Sequence, residues 1–99
     1  MVKINKRTVK FSKKYKNEYR KAKRQGRNTN LLKEIIILLA NDEPLPQANK
    51  DHPMKGIWKG YRNCHIENDW VLIYKKTDNN ELILHLTRIG SHSDLNITQ

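Results

Sequence analysis

The 99-residue sequence has one cysteine, one phenylalanine, three prolines and four glycines. A single cysteine excludes a disulfide framework and a four-cysteine metal knuckle, and it fits a reducing compartment. Long apolar runs are also missing. The longest, Ile35-Ile36-Ile37-Leu38-Leu39-Ala40, falls far short of the roughly 20 residues that span a bilayer. The start of the chain lacks the apolar stretch of a signal peptide, and no segment repeats. A soluble cytoplasmic protein with no membrane partner is therefore expected, built as one domain over residues 1–99. Hydrophobic residues are only 36% and charged residues 30% of the chain, so a small core must carry a crowded surface.

Acidic residues are scarcest at the beginning. Residues 1–27 hold twelve Lys or Arg and one acid, Glu18, for a local charge of +11; residues 28–99 come to −1. This uneven charge favours a polyanionic partner: nucleic acid, an anionic membrane or an acidic protein. A basic tail of this kind can be disordered, but the pattern argues for a helix. Phe11, Tyr15, Tyr19 and Ala22 recur at helical spacing, and Lys10, Lys13, Lys14, Lys16, Arg20, Lys21, Lys23 and Arg24 fill the remaining surface. The aromatic stripe predicts a core contact and the basic face predicts a docking surface.

Val2-Lys3-Ile4 alternates and suits a short opening strand. Thr8 can cap the first helix and Gly26 can end it. Asn28 or Thr29 can cap a second helix, whose wide apolar face runs from Leu31 to Leu39 and which Asn41 and Pro44 stop. A long irregular stretch, residues 43–56, contains all three prolines; loops of this length are often functional. Strands then follow at Tyr61–Glu67, Trp70–Tyr74 and Glu81–Ile89, the last two separated by the turn residues Thr77-Asp78-Asn79-Asn80. The order β-α-α-β-β-β predicts an α+β fold with two N-terminal helices packed on one face of an antiparallel-rich sheet. The other face needs a reason to be open.

The second half holds four histidines, His52, His65, His85 and His92, without any metal-ligand spacing. His52 lies in the long loop, His65 in a strand and His92 just after the last strand. Asp69 sits at the turn between two strands, beside Trp70. Such positions can converge on one face. Three histidines and a carboxylate next to a basic helix suit proton transfer near a phosphate, because imidazole can be acid or base near neutrality.

Asp51-His52-Pro53-Met54-Lys55-Gly56, Trp58-Lys59-Gly60-Tyr61-Arg62, Cys64-His65-Ile66, Asp69-Trp70 and Arg88-Ile89-Gly90-Ser91-His92-Ser93-Asp94-Leu95 together resemble the YafQ branch of the RelE toxin superfamily. The resemblance extends over about residues 2–95. It implies a RelE-like microbial ribonuclease fold and an mRNA interferase of a type II toxin–antitoxin pair. Such an enzyme cuts mRNA in the ribosomal A site without metal or cofactor, through attack of the RNA 2′-hydroxyl. It also implies a cognate acidic antitoxin, with operator DNA reached only through that antitoxin. The catalytic positions that it implies are His52, His65, Asp69 and His92. His52 is the candidate base with Asp69 as the alternative, and His92 is the candidate acid. His65 with Arg62 or Arg88 can stabilise the phosphoryl oxygens, and Trp70 and Lys55 are further substrate-binding candidates. Lys10, Lys13, Lys14, Lys16, Arg20 and Lys21 are the candidates for ribosomal RNA. His85 matches no catalytic position and is expected to be structural or exposed.

Two positions depart from the family pattern. Asn68 stands where many relatives have proline, and Asn96 stands where relatives have an aromatic residue, a loss that Trp70 or Tyr61 could make good. Gly90 is expected to let RNA approach the backbone near His92. Two rival readings remain at this stage. One is a basic binding module with a degenerate site. The other is a metal-dependent nuclease whose His and Asp residues are ligands.

Overall fold

A computed structural model describes residues 5–97. The elements are β1 (Thr8–Phe11), α1 (Lys13–Arg24), α2 (Thr29–Ala40), β2 (His52–Pro53), β3 (Arg62–Glu67), β4 (Trp70–Thr77) and β5 (Ile83–Gly90), with single 3₁₀ turns at Gln47–Asn49 and Gly56–Trp58. The five strands form one sheet in the order β1-β5-β4-β3-β2. β1 is parallel to β5, and the other neighbours are antiparallel. The expected α+β architecture is therefore present, with one additional two-residue strand drawn from the long loop. Residues 2–4, where the opening strand was expected, lie outside the described residues. Among the described residues no helix is long and apolar enough to cross a membrane.

The start of α1 corrects the sequence expectation. Ser12 rather than Thr8 is the cap: its hydroxyl accepts from the Tyr15 N–H at 2.9 Å and donates to the Thr87 carbonyl at 2.6 Å. Thr8, Lys10 and Phe11 belong to β1, which Leu84 and its neighbours recruit by parallel pairing. Phe11 still meets Tyr15, at 5.6 Å between ring centroids, so the stripe continues across the strand–helix junction. Gly26 ends the helix as expected. It is left-handed at φ 79, and the N–H groups of Gly26 and Arg27 return to the Lys23 and Ala22 carbonyls, the pattern of a Schellman motif. Asn28 caps α2 through the Leu31 N–H at 3.0 Å.

Two apolar clusters sandwich the sheet. Tyr15 and Ala22 of α1, Leu32, Ile35 and Leu39 of α2, and Trp70, Leu72, Tyr74, Leu84, Leu86 and Ile89 of the sheet make the larger. Val71, Ile73 and Leu95 make the smaller, on the opposite face, with Met54, Trp58, Tyr61 and Ile97 packed around them. β4 alternates between the two clusters from Trp70 to Tyr74, so that stretch is buried on both faces. The second cluster covers only part of its face, and the rest of that face carries the histidines.

Candidate active site

Strand register places the site. His52 on β2 lies opposite Asn63 on β3, Asn63 lies opposite Ile73 on β4, and His65 lies opposite Val71. Val71 and Ile73 belong to the cluster remote from the helices. His52, Asn63 and His65 therefore share the face that the helices leave open. A bulge between His65 and Glu67 breaks the ladder next to this site, a device that commonly re-aims side chains at functional positions. The β3–β4 turn puts Asp69 at φ 55, a left-handed conformation that Asp and Asn tolerate best.

His92 arrives from the far end of β5. Residues 91–97 form a tight turn in which the N–H groups of Leu95 and Ile97 bond the Ser91 and His92 carbonyls. Gly90 allows this turn to fold back: a Cβ on Gly90 would lie 3.2 Å from the Asp94 Cβ and 3.4 Å from the Leu95 Cδ2. The close approach on the Cβ side of Gly90 is thus with the chain's own turn. Asn96 takes the left-handed position at φ 54. Ile97, together with Leu95 and Tyr61, joins the small cluster beneath the site. These residues, not Trp70, fill the space on this face.

One oxygen, Asp69 Oδ1, accepts from both the His92 backbone N–H at 2.9 Å and His92 Nδ1–H at 2.7 Å. The backbone and ring hydrogen bonds from His92, helped by the nearby charge of Arg27, hold the Asp69 carboxyl below its ordinary range. With Nδ1 committed, Nε2 is the atom through which His92 can exchange a proton. That atom is buried and has no hydrogen-bond partner among the described residues. The His65 ring stands edge-on to His92, with centroids 5.1 Å apart. On the outer strand, His52 Nδ1–H donates to the Lys50 carbonyl at 2.6 Å. A carbonyl can only accept, so the neutral His52 ring carries its lone pair on Nε2, as a general base requires.

The structure brings His65, Asp69 and His92 together and sets His52 on the same face. It does not bring in three other candidates. Trp70 is 1% exposed and packs in the helix-side core. Arg62 lies opposite Tyr74, whose side chain is in that same core, and its Nε donates to Asp51 Oδ1 at 3.2 Å. The Arg88 guanidinium is held by both oxygens of Glu18, which also accepts the Ile89 N–H at 3.1 Å. Non-local carboxylates have claimed both arginines. Lys55 is exposed at the start of the 56–58 turn. Lys13, Lys14, Lys16, Arg20 and Lys21 lie exposed on α1, whereas Lys10 is on β1, 3.9 Å from Glu81. His85 is partly buried against Thr77 at 3.0 Å, and burial with the charges of Lys75 and Lys10 pushes its pKa down. Two supports were missed: Asp51, which accepts the buried Tyr74 hydroxyl at 2.6 Å, and Asn49, whose amide donates to the His65 carbonyl at 2.7 Å. The direct attachment of Asp51 to His52 was the available signal. Among the described residues, no group of three or more His, Cys, Asp or Glu could hold a metal ion.

Fold and site define a small α+β protein with a His–Asp pair and a second imidazole on an open sheet face. The family described as a bacterial toxin of type II toxin–antitoxin system, YafQ, matches residues 7–97, and the chain belongs to that family. The mRNA interferase toxin YafQ of Escherichia coli is 42% identical over 90 residues, which cover 90% of this chain and 95% of that protein. The crystal structure of the E. coli DinJ–YafQ toxin–antitoxin complex contains a chain with 42% identity and a TM-score of 0.81, with 91% of this chain and 97% of that one covered. A metal-bound toxin from Helicobacter pylori is 38% identical with a TM-score of 0.83, covering 89% and 97%.

Proposed function

We propose that this chain is the toxin of a type II toxin–antitoxin pair, an endoribonuclease that cuts mRNA in the ribosomal A site by metal-independent acid–base catalysis. The single observation that carries this reading is the His92–Asp69 pair packed against His65, on the same face as a His52 whose Nδ1 is held by the Lys50 carbonyl. In this mechanism His52 takes the proton of a 2′-hydroxyl. The 2′-oxygen bonds to the adjacent phosphorus as the bond to the 5′-oxygen breaks, and His92, whose buried Nε2 must be uncovered as RNA seats, gives that oxygen its proton. The products are a 2′,3′-cyclic phosphate and a 5′-hydroxyl. His65 is assigned to the phosphoryl oxygens in this reading, and Lys55 adds positive charge at the edge. Asp69 serves His92, which leaves His52 as the base.

The site is shallow and has little to orient a flexible strand, so positioning is assigned to the ribosome, whose contribution can reach several kcal/mol. The exposed lysines of α1 face ribosomal RNA in this reading. The partner is an acidic antitoxin. An apolar groove of about 850 Å³ between β1, α1 and α2, floored by Tyr15, Leu32 and Ile36 and rimmed by Lys16, Arg20 and Lys33, suits an acidic amphipathic segment. The 49%-exposed Phe11 lies at its edge.

The test separates acid from base. His92→Gln should slow single-turnover cleavage on programmed ribosomes by about 10²-fold or more. A substrate with a 5′-thio leaving group, which needs little protonation, should largely restore this variant. His52→Gln should be slowed comparably and should not be restored. A wild-type rate for His92→Gln, or rescue of His52→Gln by sulfur, would overturn the assignment.

A further inference from the structure

We propose that the cleft between the C-terminal end of α1 and the His92 turn binds one backbone phosphate of the substrate mRNA, next to the scissile one, through Arg27. The proposal rests on the nuclease reading above and supplies that site with a flanking contact. The cleft encloses about 210 Å³ and is lined by Lys21 and Arg27 on one side, Trp70 at its base, and Gly90 and Ser91, which lead directly into His92. Two carboxylates also border it. Glu18 is neutralised by Arg88 and the Ile89 N–H, and Asp94 is exposed. Two cations thus face one available carboxylate.

Arg27 differs from Arg20 and Arg24, the exposed arginines of α1, in how it is anchored. Its N–H closes the Schellman motif on the Ala22 carbonyl at 3.0 Å, and its own carbonyl accepts the Thr29 N–H at 2.9 Å. Its guanidinium lies over the Trp70 ring, 5.5 Å from the centroid. Among the described residues no carboxylate, carbonyl or hydroxyl bonds that guanidinium. A stacked guanidinium keeps its edge donors for a planar, two-point contact with a phosphate. Its side-chain ordering is already accomplished before RNA arrives, which lowers the cost of binding. Its charge is also felt by Asp69, so the cleft and the acid–base pair are neighbours.

A substrate cycle tests the contact. Arg27→Gln should raise the half-saturating toxin concentration for ribosome-bound mRNA about tenfold, the loss of one charge-assisted bond, and leave the saturating single-turnover rate close to wild type. Arg27→Lys, which keeps the charge and loses the fork, should fall between. A neutral methylphosphonate at the phosphate flanking the cut should weaken wild type equally and add nothing to Arg27→Gln. Penalties that multiply, or a fall in saturating rate alone, would overturn the proposal. Ribosomes with an empty A site should bind Arg27→Gln as tightly as wild type; a loss there would assign the contact to ribosomal RNA instead and overturn it. A second arm needs no cleavage. Inorganic phosphate titrated into the isolated protein should move the Arg27 Nε–H resonance saturably, and not those of the exposed Arg20 and Arg24. If that occurs while mRNA is not cut, the nuclease reading has failed and the anion site stands. If Arg27 does not respond, the anion site fails on its own.

Discussion

A single carboxylate oxygen fixes the proposed acid. Asp69 Oδ1 holds both the backbone and the ring of His92, and it does so from a left-handed turn position that keeps it exposed at 58%. Asp69→Asn keeps the shape but removes the negative charge that balances an imidazolium, and its amide group can present a donor where an acceptor is needed. Single-turnover cleavage should fall by about 10²-fold, with ribosome affinity unchanged in a filter-binding measurement. An equal loss of affinity would show that Asp69 acts on docking instead. The residues of this pair were legible because imidazole and carboxylate at strand ends already suggest proton transfer, and because the quoted motifs match a family. Arg62 and Arg88, which from sequence could be phosphate contacts or sheet-edge ion pairs, and Trp70 stand apart from the histidines for a different reason. Residue type says that an arginine can hold a phosphate, but not that Asp51 or Glu18 has already claimed it. The Glu18–Arg88 partners are 70 positions apart, and no local pattern reports such a pairing. Arg27 escaped notice for the converse reason: it looked like one basic residue among twelve, and only the fold shows that it stacks on Trp70 with no hydrogen-bond partner for its guanidinium among the described residues.

At the scale of elements, α1 presents two chemically different faces. Tyr15 and Ala22 are buried against the sheet, while Lys13, Lys14 and Lys16 are exposed. Replacing those three lysines by Gln removes charge without touching the buried face. Ribosome binding should weaken and its dependence on salt should flatten, as expected when fewer phosphates are neutralised, and thermal unfolding should be close to wild type. An unchanged salt slope would exclude this face from docking. Helical periodicity located α1 but extended it too far toward the N-terminus. Phe11 touches Tyr15 and so continues the stripe, yet its backbone pairs with Leu86 at the other end of the chain. Parallel pairing across that separation outweighs a local helical pattern, and Ser12 then becomes the first residue free to cap. The two-residue β2 was illegible for a similar reason. Its existence depends on pairing with β3, and its proline signals a loop when read alone.

Across the whole molecule, one ionic network joins three parts that are far apart in sequence. Arg7, 7% exposed, donates to Asp42 at 2.6 Å and to Asp78 at 2.7 Å, and Lys76 donates to the same Asp42 oxygen at 2.7 Å. The start of β1, the end of α2 and the β4–β5 turn are thereby held at one point. The Arg7 and Lys76 hydrogen bonds hold the Asp42 carboxyl well below the ordinary carboxylate range. Its pKa is therefore lower in the folded than in the unfolded chain. The unfolded state takes up the proton first as pH falls, so this contribution is complete at neutral pH, begins to fade near the ordinary carboxylate pKa of about 4, and is lost as pH drops toward the folded value. Asp42→Asn should cost about 1–3 kcal/mol at neutral pH, because it leaves a buried guanidinium with a weaker partner. It should also flatten the decline of stability between neutral pH and strong acid. Urea unfolding of both proteins across that range measures the difference. Parallel curves, with the variant equally destabilised at every pH, would mean that shape rather than charge at position 42 holds these three elements together.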